Sequence, residues 1–389
     1  MLLLRTDRRM TPSRPSASRA PSAFARGETL SGLIPADKPR GPTSRGVVKA
    51  VMKALGVKKA GHAGTLDPAA TGLLLVLVGK ATALSGFLAG FDKVYSGTVE
   101  LGLATDTLDA EGKILADARS LAPESIEPVL LAAEKFLGPT LQVPPNVSAI
   151  SVLGVRSHAR ARAGETFALP PRKVVLKSLD LLKYEPPVLS FRALVSKGFY
   201  VRSLARDLGL SLGLPGGTLS SLRRESSGPF PASEAVRSPF DRDDLLNRLV
   251  SPRDALPHFP ECLLDDYGTG EIANGRPLRA CDLDPGNFVP PLFPPPEPAK
   301  SPSPDPTNAF SPFPAFASGT PIKLVGPEGD LVALGKLETP GTPEKVFSSP
   351  ADPPGPRNRA PEGPFLRPFR VFGTPSGVRQ KPPKTAGRE

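Results

Sequence analysis

One carboxylate stands out by its surroundings. Asp67 lies in Gly61-His62-Ala63-Gly64-Thr65-Leu66-Asp67-Pro68-Ala69-Ala70-Thr71-Gly72, directly before the apolar run Leu73 to Val78. Glycines let a backbone approach a ligand closely. Pro68 fixes its own φ and turns Asp67 away from helical geometry. Six consecutive apolar residues suit a strand buried on both faces. The sequence therefore places an acid on a stiff turn anchored by a core strand, the setting that nucleophilic or acid–base work requires. An Asx-turn, in which Asp67 bonds only its own backbone, is the alternative reading of the same residues.

Several elements must hold that turn. Thr43 or Ser44 caps a helix in which Val47, Val48, Val51, Met52 and Leu55 recur at helical spacing, with Gly56 as its stop. Lys93 to Leu103 alternates as a half-buried strand, with Tyr95, Val99 and Leu101 on one side. Ile126 to Leu137 patterns as an amphipathic helix. Val174 to Leu182 and Leu189 to Val195 read as strands, and Tyr200 to Leu212 as a helix. Strands and helices mix without regular alternation, so the expected class is α+β.

The chain has 389 residues and a net charge of +11. A basic excess of that size favours a polyanionic partner, while basic tails account for part of it. Six arginines from Arg5 to Arg26 crowd a Ser- and Pro-rich N-terminal arm. Such an arm reads as disordered over residues 1–28, although its composition also mimics a mitochondrial transit peptide. Two cysteines, Cys262 and Cys281, and three His give no metal-type spacing. The expectation is no metal site and no disulfide framework, which suits a reducing cytoplasm. No apolar run reaches the length of a membrane span.

Prolines cluster from Pro285 to Pro314 and should keep that stretch extended or disordered. Around it, Gly270 to Pro277 reads as a turn-bearing piece, and Pro321 to Val325 with Leu331 to Gly335 as two short strands. The expected organisation is a catalytic domain at 29–256, then a small β domain at 257–345 interrupted by a Pro-rich insertion at 285–318. Residues 346–389 read as a second tail.

The Gly61–Leu74 stretch resembles the signature of the bacterial tRNA pseudouridine synthases that modify uridine 55, the TruB type, whose motif Asp is catalytic. Three further segments carry the same resemblance. Ser196-Lys197-Gly198-Phe199-Tyr200-Val201-Arg202 is similar to the motif whose Arg pairs with that Asp. Asp92-Lys93-Val94-Tyr95 is similar to the strand whose Tyr stacks on the target uracil and takes the C5 proton. Lys38-Pro39-Arg40-Gly41-Pro42-Thr43-Ser44 is similar to a motif that shapes the pocket.

The resemblance implies Asp67, Tyr95 and Arg202 as catalytic residues and His62, Tyr200, Leu222 and Lys38 as substrate-binding ones. Arg223 and Arg224 suit phosphates or are ordinary solvated charges. The resemblance also implies a pseudouridine synthase fold, with a mixed, mostly antiparallel sheet flanked by helices and a small PUA-like C-terminal β domain that binds RNA. The implied partner is tRNA, recognised at its T-loop by a monomer that needs no cofactor. Two places depart from the family pattern: Val147 to Ser151, where an expected aromatic and a lysine are missing, and Ser157-His158, which replaces a usual Leu-Tyr pair. A tRNA-folding protein without essential catalysis, or a synthase for another RNA, are the alternatives.

Overall fold

The apolar run becomes the strand Thr71–Val78, and every residue from Leu73 to Val78 is fully buried. Each such aliphatic side chain contributes roughly 2 kcal/mol by leaving water, which makes this strand a rigid base for the turn before it. The structure, a computed structural model, describes residues 3–5, 30–146, 151–152, 155–156, 169–279, 283, 285–292, 320–338 and 365–372. The chain divides into two compact units, Met1–Val250 and Ser251–Glu389.

Among the described residues, the first unit is built on an 11-stranded sheet. Its main path runs Leu3–Arg5, Arg172–Glu185, Val188–Val195, Lys93–Leu101, Gly217–Ser227, Thr71–Val78, Gly32–Lys38 and Val236–Arg237. Neighbours on this path are antiparallel except at two places. Gly217–Ser227 runs parallel to Thr71–Val78, and Val236–Arg237 runs parallel to Gly32–Lys38. The first of these matters for the site, because it sets Arg224 opposite Gly72. Gly72 has φ of 97°, and a Cβ there would lie 2.3 Å from the Arg224 carbonyl oxygen. Only glycine permits that approach.

The helices Glu127–Glu134 and Val201–Ser211 supply side chains to one apolar cluster, which contains Tyr95, Val99, Phe191, Val129 and Leu204. The helix Ser44–Leu55 belongs to another, with Ile34, Leu74, Val76 and Val51. Thr43 caps that helix by accepting a hydrogen bond from the Gly46 N–H, and Gly56 ends it in the left-handed region at φ 70°. Ser44, the other candidate cap, is used elsewhere: its hydroxyl bonds both the N–H and the C=O of Leu66. The fold class is the expected one, with a mostly antiparallel mixed sheet and a separate C-terminal sheet.

Four expectations need correction. Leu3–Arg5 is a strand paired with Ser178–Asp180, so the N-terminal arm is not wholly without structure. Gly270 to Pro277 is not merely a turn: Asp265 caps a helix, Asp266–Ala273, by accepting from the Gly268 N–H. The Pro-rich stretch starts inside the sheet, since Phe288–Val289 pairs with Glu261 and Cys262 before the proline density rises. Phe365–Val371 pairs along Leu331–Glu338 and extends the small β domain past 345. Its Phe, Leu and Val positions were hidden by the Pro- and Gly-rich residues around them. Residues 147–150 and 157–158 lie outside the described residues.

Candidate active site

The Asp67 turn is braced from several sides. The Ala70 N–H donates to the Asp67 carbonyl at 3.1 Å, and the Gly41 N–H to the Pro68 carbonyl at 2.9 Å. Lys38 is fully buried beside it. Its ammonium donates to the carbonyls of Pro39 and Pro68 at 3.0 Å each and of Ala70 at 2.6 Å. Burial pushes Lys38 down to about 8, against the opposing pull of Asp67 and Glu111. Lys38 was expected to bind substrate. Its Nζ is instead committed to backbone oxygens of the turn, and it lies outside the pocket lining. Its work is to hold the turn's shape.

Asp67 therefore keeps its side chain outward while its backbone is fixed. Its carboxylate is 41% exposed and accepts from Arg202 Nη2 at 2.9 Å, whereas the Arg202 side chain is only 7% exposed. Arg202 is itself pinned. Its Nη1 donates to the Thr107 carbonyl at 2.9 Å and lies 3.5 Å from the Asp109 carboxylate. Asp109 is oriented in turn by the Thr107 hydroxyl at 2.6 Å and the Glu111 N–H at 3.2 Å. The helix that carries Arg202 begins at Val201 with no side-chain cap. Gln142 takes over part of that task, accepting from the Tyr200 N–H at 2.7 Å and donating to the Tyr200 carbonyl at 3.0 Å. A bidentate-capable cation with a fixed stem suits a carboxylate that must not move.

Asp67, Tyr95, Tyr200, Arg202 and Leu222 line one open cavity of about 310 Å³. A flat heterocyclic base fits a pocket of this size and mixed lining. Lys93 and Arg224 also line it, and sequence reasoning assigned neither of them a place there. Arg224 is buried at 2% exposure. Its Nε donates to the Tyr95 hydroxyl at 3.1 Å, and its guanidinium lies 5.4 Å from the centre of the Tyr95 ring. Its other nitrogens hold the carbonyls of Gly64, Thr65 and Leu73, on both sides of Asp67. Arg223 points to the opposite face and forms a paired contact with Asp37, 3.0 Å at each oxygen.

A sequence signal for these two residues existed. Leu222 and Arg224 are two apart on one strand, as are Lys93 and Tyr95, and residues two apart share a face.

His62 lies on the short strand Ala60–Ala63, opposite Val76 and outside the pocket lining. Its Nδ1 is buried without a partner among the described residues. Burial and the charge of Arg224 hold its imidazole below the usual range, so it is neutral at neutral pH.

Residues 52–201 match the family model described as "TruB family pseudouridylate synthase (N terminal domain)". The chain is 44% identical over 259 residues to "tRNA pseudouridine synthase B" of Parasynechococcus marenigrum, covering 66% of this chain and 86% of that protein. It is 40% identical over 271 residues to the protein of the same name from Dinoroseobacter shibae, covering 67% and 88%. Among solved structures, one titled "Crystal Structure of a Cbf5-Nop10-Gar1 Complex" is similar at 25% identity with a TM-score of 0.55, covering 78% of each chain. An archaeal box H/ACA Nop10-Cbf5 complex, at 22% identity and a TM-score of 0.56, shares the fold over 88% of this chain. On these similarities, this chain belongs to the TruB family of pseudouridylate synthases.

Proposed function

We propose that the enzyme converts uridine 55 in the T-loop of tRNA to pseudouridine, with Asp67 as the nucleophile. The reaction breaks the bond between ribose C1′ and uracil N1, turns the base, and joins C5 to C1′. The target nucleotide must leave its stack, at a cost of roughly a few kcal/mol. Asp67 is the group at the pocket mouth that can take up the sugar carbon. Tyr95 lies in the same cavity, where it faces the ring and can accept the C5 proton. Tyr200 and Leu222 bound the slot, and neutral His62 contacts the RNA near the base of the turn. The small β domain adds RNA contacts. No helix among the described residues is long and apolar enough to cross a membrane, and we place the enzyme in the cytoplasm as a monomer.

The observation that carries this reading is the exposed Asp67 carboxylate held at 2.9 Å by a buried Arg202 beside a base-sized cavity. Mapping pseudouridine in tRNA transcripts treated with the purified enzyme tests it. Modification is expected at position 55 alone, and a transcript with cytidine there should stay unmodified. Modification elsewhere with position 55 untouched would reassign the substrate.

A further inference from the structure

The pocket floor carries more positive charge than its structural bonds require. Lys93 is 6% exposed and Arg224 2% exposed. A Cβ placed on Gly64 would lie 3.6 Å from Arg224 Nη1 and 3.9 Å from Lys93 Cε, so both side chains pass close to that glycine. Buried charges are ordinarily paired with an opposite charge. Here neither has a carboxylate partner among the described residues.

Lys93 donates to the carbonyls of Ala89, at 2.7 Å, and Phe91. Arg224 bonds three carbonyls and the Tyr95 phenol. The charged groups acting on Lys93 are Arg224, Asp92 and Lys197. Asp92 is already bonded by Lys177 at 2.6 Å, and Asp67 by Arg202. The balance of burial and repulsion pushes Lys93 down to about 8, so it still carries its proton at neutral pH.

We propose that Lys93 and Arg224 form an anion-stabilising floor for the detached uracil, and that Lys93 is a further catalytic residue. The inference rests on the pseudouridine synthase reading of this pocket. When C1′–N1 breaks, its electron pair leaves on the base, which becomes a uracil anion with charge spread over N1 and the carbonyl oxygens. The electron-poor C1′ is taken up by the Asp67 carboxylate. When C5 then bonds to C1′, the carboxylate is released with its electron pair. The C5 proton departs and N1 gains one, so the product is a neutral isomer. Negative charge is on the base only between the two bond changes. Two fixed cations that meet it there favour the transition state over the neutral substrate.

A leaving-group comparison tests this with the full-length enzyme. Lys93→Met is assayed under single-turnover conditions on tRNA carrying uridine or 5-fluorouridine at the target, following loss of the starting nucleoside. Fluorine stabilises the departing anion by itself. Lys93→Met should slow the uridine substrate by about 100-fold and the fluorinated one by markedly less. Equal slowing of both substrates, or uridine turnover at the wild-type rate, would overturn the proposal.

A second measurement needs no variant. The wild-type enzyme is titrated with a T-loop RNA carrying 6-azauridine, a near-isostere that ionises near neutral pH. Its affinity relative to the pseudouridine-containing product RNA should rise between pH 6 and 7.5, as the analogue becomes anionic. A flat or falling ratio would also overturn it. Asp67→Asn separates the two layers. If Asp67→Asn turns over normally, the underlying mechanism fails. If it is inactive while Lys93→Met is unimpaired, only the anion floor fails.

Discussion

In the second unit, Glu261 is set between Arg253 and Lys323. Arg253 Nη2 reaches its carboxylate at 2.5 Å and Lys323 Nζ at 2.7 Å. In the pocket of the first unit, Lys93 and Arg224 are both buried, whereas Arg253 is one-third exposed, and their hydrogen bonds go only to carbonyls and a phenol. Both clusters contain one Lys and one Arg. The first of them has its anion built into the chain, and pairing holds the Glu261 carboxyl below its usual range despite burial. The second faces an open cavity. The contrast separates a charge cluster that serves stability from one whose missing anion must arrive with the substrate.

Breaking each cluster should therefore have different consequences. The largest expected effect is on chemistry: Asp67→Asn should lower turnover by about 10⁴-fold or more, the scale for losing an essential catalytic group. Affinity for tRNA should change by less than about threefold, since phosphate contacts dominate binding. Single-turnover kinetics with a filter-binding control checks both. Next comes stability. Glu261→Gln leaves two cations in the second unit without their anion and should cost about 3 kcal/mol in denaturant unfolding of that unit. Lys93→Met removes a buried charge that has no carboxylate partner, only the carbonyls of Ala89 and Phe91, so its unfolding midpoint should hold or rise. A marked loss of stability in Lys93→Met would merge the two clusters into one structural class.

The smallest expected effect is a pH dependence in the second unit. Burial and the Lys323 charge push His258 down to about 4, against 6.5 for the free side chain. Its folded value is depressed, so the unfolded chain binds the proton more readily. The contribution is complete above pH 6.5 and is lost as pH falls toward 4. His258→Gln should flatten that part of the stability profile, as read by thermal unfolding from pH 4 to 7. An unchanged slope would place the acid sensitivity elsewhere.

Much of the site could be read from the sequence because its residues sit in contiguous, unusual stretches. The Gly- and Pro-rich turn marks Asp67, and the segment Ser196 to Arg202 marks the helix start. Arg224 was not legible in this way. An Arg beside another Arg reads as a solvated pair, and only the alternation of the strand sends Arg223 to Asp37 and Arg224 under the pocket. Lys38 was misplaced for a related reason. A lysine near a catalytic motif suggests substrate contact, but the carbonyls of a tight turn compete for the same ammonium. In the second unit, Phe365–Val371 went unseen because strand pairing with Leu331–Glu338 across a long Pro-rich separation has no local signature.

The central claim is that Asp67 attacks the sugar of an everted uridine. A structure of the enzyme bound to a T-loop RNA carrying 5-fluorouridine at position 55 tests it most directly. The account predicts the base inside the pocket between Tyr95 and Leu222, with an Asp67 carboxylate oxygen within about 3.5 Å of C1′ or bonded to the nucleotide. A base still stacked in its loop, or Asp67 turned away from C1′ toward Arg202 alone, would contradict it.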